Sequence, residues 1–282
     1  MVDYKLHTAF IINPKSGTPK FVSRVHYLIR KHLGKDNRGV SVYKSRYPGH
    51  VYEIAARVAD EGYDMCVAVG GDGTMNETAR GLINSDTALG VIPTGSGNGY
   101  ARNIGLPLRV EPALSIIENP SFRQIDVGRI NEHIFLVSCG IGWEAVIATL
   151  FEGSRIRGIL PYYQLTVSTF LQYEPQEIKI ESNPGNWQYN GRPLLFSVAN
   201  MKEYGVGVSI APEAKDDDGF LDICLIPGIA CSTRLNTARI CSAEKPPIYR
   251  VISANSLPKP GLYAVMKAIF TSMVRPNQPD ES

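Results

Sequence analysis

The stretch V-A-V-G-G-D-G-T-M-N-E-T-A-R-G-L, residues 67–82, constrains the fold more than any other part of the sequence. An apolar run ends there in Gly70-Gly71-Asp72-Gly73-Thr74, and a helical pattern begins at once. A strand, a glycine turn and a helix in direct succession are typical of βαβ units, in which helices join parallel strands. The stretch therefore predicts a parallel sheet with a ligand-binding turn at its carboxyl edge.

The same alternation runs through the first 125 residues. Predicted strands lie at 8–12, 40–44, 65–69, 88–92 and about 122–127. Predicted helices lie at about 19–33, 49–61, 74–84 and 110–118. Helices on both faces of such a sheet would make residues 1–125 a three-layer α/β domain.

From about residue 128 the pattern changes to short strand-like runs separated by Gly, Pro and Asn. These runs predict that residues 126–282 form a mostly β, sandwich-like domain. The segment 143–172 is an exception and predicts one or two helices crossing that sheet. Residues 262–274 carry an apolar stripe at helical spacing, which we interpret as a helix packed on the protein's own core, with an interfacial membrane anchor as the alternative.

Composition argues against several classes of protein. The 29 basic and 27 acidic side chains leave a formal charge of +2, so net charge does not predict a nucleic-acid partner. The Lys- and Arg-rich first helix is interpreted as a solvated face, with a phosphate- or lipid-facing patch as the alternative. Five scattered cysteines without C-x-x-C spacing predict neither a disulfide framework nor a zinc site, and fit a reducing cytoplasm. No uncharged apolar run reaches the roughly 18 residues of a transmembrane helix.

Three glycine-bearing turns follow predicted strands, at residues 13–17, 70–74 and 93–99. Backbone N–H groups in such turns and at helix N-termini bind phosphate oxygens. Because a carboxylate alone repels phosphate, we predict that Asp72 holds Mg²⁺ beside a nucleotide. The alternative is that Asp72 merely caps a helix in a tight turn. Neither the complete G-x-x-x-x-G-K-[ST] nor the complete G-x-G-x-x-G pattern is present.

Five segments occur in an order that points to a known family: F-I-I-N-P-K-S-G (10–17), V-G-G-D-G-T-M-N-E (69–77), I-P-T-G-S-G-N-G-Y-A-R-N-I-G-L-P (92–107), I-D-V-G (125–128) and I-A-P-E-A-K-D-D-D-G-F-L-D (210–222). The chain resembles the diacylglycerol kinase catalytic-domain family, which includes sphingosine and ceramide kinases and the soluble bacterial lipid kinases. The resemblance implies an α/β nucleotide domain and a β-sandwich with a cleft between them. It also implies Mg²⁺-dependent transfer of the γ-phosphate of ATP to diacylglycerol or a related long-chain lipid.

The resemblance also assigns site residues. It implies nucleotide contacts from residues in four segments: Asn13, Ser45, Gly70, Gly71, Asp72, Gly73, Thr74, Met75, Asn76, Gly95 and Ser96. Lys15, Asp72 and Asp126 would form a charged catalytic network around Mg²⁺. A structural Mg²⁺ would lie near Asp218, with the backbone carbonyls of Lys215 and Phe220 as further ligands.

Two departures from the family pattern bear on activity. Gly99 stands where many bacterial members have aspartate in N-D-F-A-R, so one carboxylate of the charged network is missing. We interpret this as variation between subgroups, because sphingosine-kinase-like and other members carry a similar G-S-G-N form. No D-G-E motif follows Asp222, and beyond about residue 230 the chain does not align, so the glutamate that deprotonates the acceptor is not found. The missing glutamate keeps a nucleotide-binding regulatory protein as an alternative. An NAD-kinase-like phosphotransferase is a second alternative, because NAD kinases share the G-G-D-G-T segment.

The resemblance further implies where such a kinase works. Its partners would be ATP and a lipid substrate at the membrane surface, with neither nucleic acid nor a transmembrane span involved. We expect a cytoplasmic protein that reaches the inner membrane surface peripherally. A homodimer is left open.

Overall fold

The computed structural model describes residues 6–16, 19–33, 39–131, 133–153, 159–181, 188–205, 208–228, 248–252 and 264–266. Strands and helices alternate in the N-terminal part, as the sequence predicts. The elements are β1 (Thr8–Ile12), α1 (Pro19–Leu33), β2 (Val40–Lys44), α2 (His50–Asp60), β3 (Met65–Gly70), α3 (Asp72–Leu82), β4 (Ala88–Pro93), α4 (Gly99–Asn103) and α5 (Val110–Glu118).

The N-terminal sheet has the strand order β2-β1-β3-β4, and all its described pairings are parallel. The chain therefore turns in opposite directions after β1 and after β3, which makes the gap between these strands a topological switch point. Open α/β sheets bind ligands at such a point, outside the carboxyl ends of the strands. The turns that follow β1 and β3 flank it.

Both faces of this sheet are covered, because alternate residues of each buried strand point to opposite sides. Phe10 and Val67 face one side, where they pack with α1 and α5. Ile11 and Cys66 face the other, where they pack with α2. The predicted three-layer α/β arrangement is confirmed.

One predicted strand is wrong. Residues 122–127 form no strand; β5 begins only at Gly128 and pairs with β6 (His133–Phe135). The reason is that the backbone of Asp126 bonds elsewhere: its N–H donates to the Asp216 carbonyl at 2.6 Å, and its carbonyl accepts from the Asn200 side chain at 2.7 Å. Those bonds tie the segment to the second half of the chain instead of the parallel sheet.

The second half is mostly β, as predicted. Its elements are β5 (Gly128–Ile130), β6, β7 (Ser138–Gly142), α6 (Trp143–Gly153), α7 (Ile159–Gln172), β8 (Ile178–Glu181), β9 (Gln188–Gly191), β10 (Pro193–Ala199), β11 (Glu203–Gly205), β12 (Val208–Ser209), β13 (Phe220–Pro227), β14 (Ile248–Ile252) and β15 (Ala264–Met266). The antiparallel sheet β14-β13-β10-β7 is its centre. Helices α6 and α7 confirm the predicted helical exception. Neither they nor any other helix in the described ranges is long and apolar enough to cross a bilayer.

The predicted C-terminal helix is wrong where it can be compared. Residues 264–266 form β15, which pairs in parallel with β5, instead of a helical turn. The rest of the segment 262–274 lies outside the described residues.

A shared core joins the two halves. Met75 of α3 and Tyr100 of α4 pack with Ile134, Leu136 and Met201 from the β half. Because all five are buried, the turns at the edge of the parallel sheet are fixed relative to the β half. This packing positions the candidate site described next.

Candidate active site

The three glycine-bearing turns lie side by side at the carboxyl edge of the parallel sheet. The Asn13 N–H donates to the Val69 carbonyl at 3.1 Å, and the Thr94 N–H donates to the Gly70 carbonyl at 2.8 Å. Ser45 follows β2, and its N–H donates to the Ile12 carbonyl at 3.0 Å. With strands about 4.8 Å apart, the row from Ser45 to Thr94 is about 14 Å long. The sheet thus presents one continuous row of turns.

Side chains link the first turn to the second. The Asn13 side-chain N–H donates to Thr74 Oγ1 at 2.9 Å, and the Lys15 N–H donates to Asn13 Oδ1 at 3.0 Å. Thr74 occupies the space beside Gly70 so fully that a Cβ on Gly70 would lie 2.3 Å from Thr74 Oγ1. Gly70 is therefore required by close packing within the turn.

The second turn leads directly into the N-terminus of α3. Gly71 is the N-cap, and the first bond of the helix runs from the Met75 N–H to the Gly71 carbonyl at 3.1 Å. The N–H groups of Asp72, Gly73 and Thr74 have no acceptor within the helix, which is the usual basis of anion binding at this position. Gly73 is exposed, and a Cβ there would meet no atom within 4 Å. A ligand can reach the N-terminus of α3 from this side.

Two predicted nucleotide contacts have other partners. Met75 is fully buried in the shared core, and its N–H already bonds to Gly71. The Asn76 side-chain N–H donates to the Ile134 carbonyl at 2.8 Å. Both residues fasten α3 to the β half, so their predicted contact with phosphate gains no support from the geometry.

The third turn folds against the second. A Cβ on Gly95 would lie 2.5 Å from Gly71 Cα, so the two backbones touch. The buried Asn98, in the left-handed conformation with φ of 51°, accepts the Gly95 N–H at 2.9 Å and donates to the Gly95 carbonyl at 2.8 Å. Ser96 at the tip is exposed. A cavity of about 630 Å³, lined in part by Thr94, Gly95 and Asn98, adjoins this turn, so a ligand has room beside it.

Asp72 connects the second and third turns. Its two carboxylate oxygens accept the N–H groups of Gly99 and Tyr100, each at 3.0 Å, and thereby cap the N-terminus of α4. Asp72 therefore does cap a helix, as the alternative interpretation has it, but that helix is α4 and not α3, in which Asp72 itself lies. A carboxylate has about four acceptor positions, so two bonds leave room for a cation.

Asp126 lies in a different environment from Asp72. Its buried carboxylate accepts the Gly219 N–H at 2.6 Å. Burial raises the pKa of Asp126, and the charges of Asp218, Asp217 and Asp216 raise it further, whereas the Gly219 N–H lowers it. Within the described ranges no hydrogen bond or ion pair joins Asp126 to Asp72 or to the exposed Lys15. The geometry groups Asp126 with the acidic turn 215–219 rather than with Asp72.

The acidic turn has the chemistry for a cation. Asp218 Oδ1 accepts the Phe220 N–H at 3.1 Å, and Asp216 forms a bidentate pair with Arg123 at 2.5 and 2.9 Å. The part of the chain that the structure describes holds no group of three or more His, Cys, Asp or Glu side chains arranged around a metal position. The predicted site needs only the Asp218 carboxylate with the carbonyls of Lys215 and Phe220, so it does not depend on such a group.

Three residues that the sequence did not single out complete the site. A Cβ on Gly99 would lie 2.2 Å from the Tyr204 carbonyl oxygen, so β11 packs directly on the third turn. The Asn103 side chain donates to the Glu203 carbonyl at 2.7 Å and accepts the Glu203 N–H at 3.0 Å. Tyr204 donates its hydroxyl hydrogen to Glu144 on α6. Asn103 falls within the recognised segment 92–107, but Tyr204 and Glu144 fall outside the five segments quoted above.

Two family models match the chain in succession. The diacylglycerol kinase catalytic domain matches residues 7–130, and the YegS C-terminal NAD kinase beta sandwich-like domain matches residues 137–240. These two matches confirm the resemblance to the diacylglycerol kinase catalytic-domain family. The words NAD kinase in the second description name a type of β-sandwich. The first domain matches diacylglycerol kinase.

Individual relatives are 28–29% identical to the chain within the aligned region. A diacylglycerol kinase of Staphylococcus saprophyticus is 28% identical over 77% of this chain and 71% of its own length. A diacylglycerol kinase of Bacillus subtilis is 29% identical over 77% of this chain and 72% of its own length. A Pseudomonas putida protein named a probable lipid kinase YegS-like is 28% identical over 64% of this chain and 61% of its own length.

A solved structure confirms the arrangement of the two halves. The crystal structure of a diacylglycerol kinase from Bacillus anthracis superimposes with a TM-score of 0.69 and covers 88% of this chain and 84% of its own. Its sequence identity of 23% makes this a likeness of fold. The predicted α/β domain with a β-sandwich partner is thus found in a family member.

Proposed function

We propose that this protein is an ATP- and Mg²⁺-dependent lipid kinase that transfers the γ-phosphate of ATP to the hydroxyl of diacylglycerol or a related long-chain lipid. The observation that carries the proposal is the row of three turns at one sheet edge, with the open N-terminus of α3 in the middle. Phosphoryl transfer depends mainly on positioning and on charge stabilisation, and this row supplies backbone donors for both.

ATP would lie along the row. Its adenosine would sit near Ser45, and its phosphates would pass Asn13 and reach the N-terminus of α3 at Gly73. Gly95 and Ser96 of the third turn would approach the phosphates from the other side. The bonds that tie the turns together support this placement, because they hold the donors in place before the nucleotide arrives.

Mg²⁺ would neutralise charge on the phosphates and polarise them when bound. Asp72 fits as a ligand because it lies at the centre of the row and keeps free acceptor positions beyond its two N–H bonds. A second, structural cation fits near Asp218, since Asp126 and the acidic turn concentrate negative charge there. Lys15 would contact phosphate from its exposed position beyond β1.

We place the reaction at a membrane surface, because a long-chain acceptor resides there, and expect a cytoplasmic protein that binds that surface peripherally. A regulatory nucleotide-binding protein stays as a second candidate because no D-G-E motif follows Asp222. A regulatory protein of this kind would bind ATP without transferring its phosphate.

The test is incubation with γ-labelled ATP, Mg²⁺ and either diacylglycerol micelles, a total lipid extract or NAD, followed by separation of the products. Label in a phospholipid is the expected result, whereas label on NAD would overturn the choice of acceptor. If no acceptor is labelled but ATP with Mg²⁺ raises the melting temperature, the regulatory candidate is correct.

Asp72→Asn tests the metal assignment. Since Asp72 also caps α4, loss of activity alone would not separate the two roles. The decisive readout is therefore the Mg²⁺ dependence of ATP-induced stabilisation, which should disappear in the variant. If ATP stabilises Asp72→Asn more strongly with Mg²⁺ than without, to the same extent as in the wild type, Asp72 is not a metal ligand.

A further inference from the structure

The carboxyl group of Glu144 has an unusual setting, and the proposed function has so far given it no role. It lies in the first turn of α6 and is largely, but not fully, buried by its neighbours. Its carboxyl group lies over Gly140 of β7, so closely that a Cβ on Gly140 would lie 2.1 Å from Glu144 Oε1. It accepts the Tyr204 hydroxyl hydrogen and a hydrogen bond from the Ser197 side chain. No described basic side chain is paired with it.

A short run of contacts connects this carboxyl group to the phosphate-binding turns. Asp72 bonds to the Gly99 N–H, Gly99 touches the backbone of Tyr204, and the Tyr204 side chain reaches Glu144. Asn103 holds the same strand from the other side through Glu203. Glu144 is therefore linked through β11 to the third turn, on the side of the β half.

We propose that Glu144 is the general base of the phosphoryl transfer and that Tyr204 is the positioning residue that aims it at the acceptor hydroxyl. The inference rests on the proposed function. It assigns the role for which the sequence offers no D-G-E glutamate after Asp222.

The step balances with the groups named. The acceptor oxygen forms a bond to the γ-phosphorus as the bond between that phosphorus and the β,γ-bridging oxygen breaks, and ADP leaves with the electron pair. The hydroxyl proton passes to the Glu144 carboxylate and then to solvent. Glu144 keeps a part of its surface exposed, which gives the proton a path to solvent.

The electrostatic setting suits a base. Burial raises the pKa of Glu144 to about 8, and the Ser197 hydrogen bond acts in the opposite direction. A base with a pKa near the working pH is the most effective. The described titratable groups around it are Tyr204 on β11, Cys139 on β7 and Cys224 on β13. Burial raises the pKa of both thiols, so they stay neutral when Glu144 loses its proton.

Tyr204 should tune this base. Its hydroxyl donates to the carboxylate and favours the charged form, so removing it should raise the pKa of Glu144 further. Its backbone contact with Gly99 does not involve the phenol ring and should survive in Tyr204→Phe.

The experiment follows label transfer to diacylglycerol from pH 6 to 9.5 in the wild type, Glu144→Gln, Tyr204→Phe and the exposed control Glu61→Gln. Wild-type turnover should rise with pH to a plateau above about 8. Glu144→Gln should lower kcat by about 10²- to 10⁴-fold and abolish that rise, with ATP-induced stabilisation unchanged. Tyr204→Phe should move the rise to higher pH, and Glu61→Gln should match the wild type.

The outcomes separate the two proposals. If the wild type labels no acceptor, the proposed function fails and the base assignment with it. If it labels lipid and Glu144→Gln keeps the wild-type rate and pH profile, only the base assignment is wrong. Loss of ATP-induced stabilisation in Glu144→Gln would show a structural role instead. Should that variant not fold, an unchanged pH profile in Tyr204→Phe would overturn the inference.

Discussion

Gly95 packs against Gly71 so closely that a Cβ on Gly95 would lie 2.5 Å from Gly71 Cα. This contact brings the turn after β4 onto the turn after β3, and only glycine allows it. The glycines of the candidate site thus have at least two purposes: some let the backbone pack on itself, and others leave space for a ligand. Substitution with alanine can distinguish the two.

Gly95→Ala should push the third turn away from the second. We expect a loss of about 1–3 kcal/mol in the free energy of unfolding, because neighbouring backbone must shift, together with weaker ATP binding. Urea unfolding and ATP-induced melting shifts measure the two effects. Unchanged stability would mean that the turns do not touch in solution.

Gly73→Ala is the matched comparison for Gly95→Ala, because it should weaken ATP binding without lowering stability. A methyl group there meets no protein atom within 4 Å, and alanine in place of glycine in a helix is favourable by about 0.5–1 kcal/mol. Stability should be kept or raised, whereas ATP binding should weaken because the methyl group occupies the approach to the α3 N–H groups. A variant that binds ATP as tightly as the wild type would place the phosphates elsewhere.

Much of the α/β half follows from local sequence. Strand β3 is a continuous apolar run, and helix α3 buries Met75, Ala79 and Leu82 at helical spacing. The Gly-rich turn between them is compatible with few other structures. The segment 122–127 was mispredicted because its bonds go to Asp216 and Asn200, which are far away in sequence. Local apolar pattern carries no information about such partners.

The candidate site, too, could be predicted from the sequence only in part. The turns at Asn13, Gly70 and Gly95 lie together because parallel strands end at the same edge, which the sequence predicts. The separation of Asp126 from Asp72, and the proximity of Tyr204 to Gly99, depend on how the β half packs on the α/β half. Those contacts join residues about 100 positions apart, and no local rule predicts them.

Gly99→Asp introduces the residue that many bacterial members of the diacylglycerol kinase family have. We do not expect this substitution to raise kinase activity. The Tyr204 carbonyl oxygen occupies the space where the new side chain would begin, because a Cβ on residue 99 would lie 2.2 Å from it. We expect a loss of about 1–3 kcal/mol in unfolding free energy and lower kinase activity. Higher activity than the wild type would show that β11 moves aside and that the missing carboxylate does limit the rate.

Asp126→Asn tests the crowded acidic turn by its pH dependence. The folded-state pKa of Asp126 is raised, so its contribution to stability is fully present below the unfolded pKa and is lost as pH rises through the folded pKa. In the presence of a chelator, the unfolding free energy of the wild type should therefore fall relative to that of Asp126→Asn as the pH rises through this pKa. Addition of Mg²⁺ should restore the unfolding free energy of the wild type. Asp86→Asn, an exposed site, controls for net charge. If the difference in unfolding free energy between the wild type and Asp126→Asn does not change with pH, burial and the neighbouring carboxylates do not raise the pKa of Asp126.

Asn200 joins the segment before β5 to the β half through one buried side chain. Its amide donates to the carbonyls of Asp126 at 2.7 Å and Leu136 at 2.9 Å, and its own oxygen has no partner among the described residues. Asn200→Ala should cost about 1–3 kcal/mol for each buried carbonyl left without a donor. Asn200→Asp should cost more, because it turns a carboxylate toward two carbonyl oxygens. The exposed Asn190→Ala should change stability by less than about 0.5 kcal/mol. Equal stability of Asn200→Ala and Asn200→Asp in urea unfolding would show that the side-chain donors contribute little.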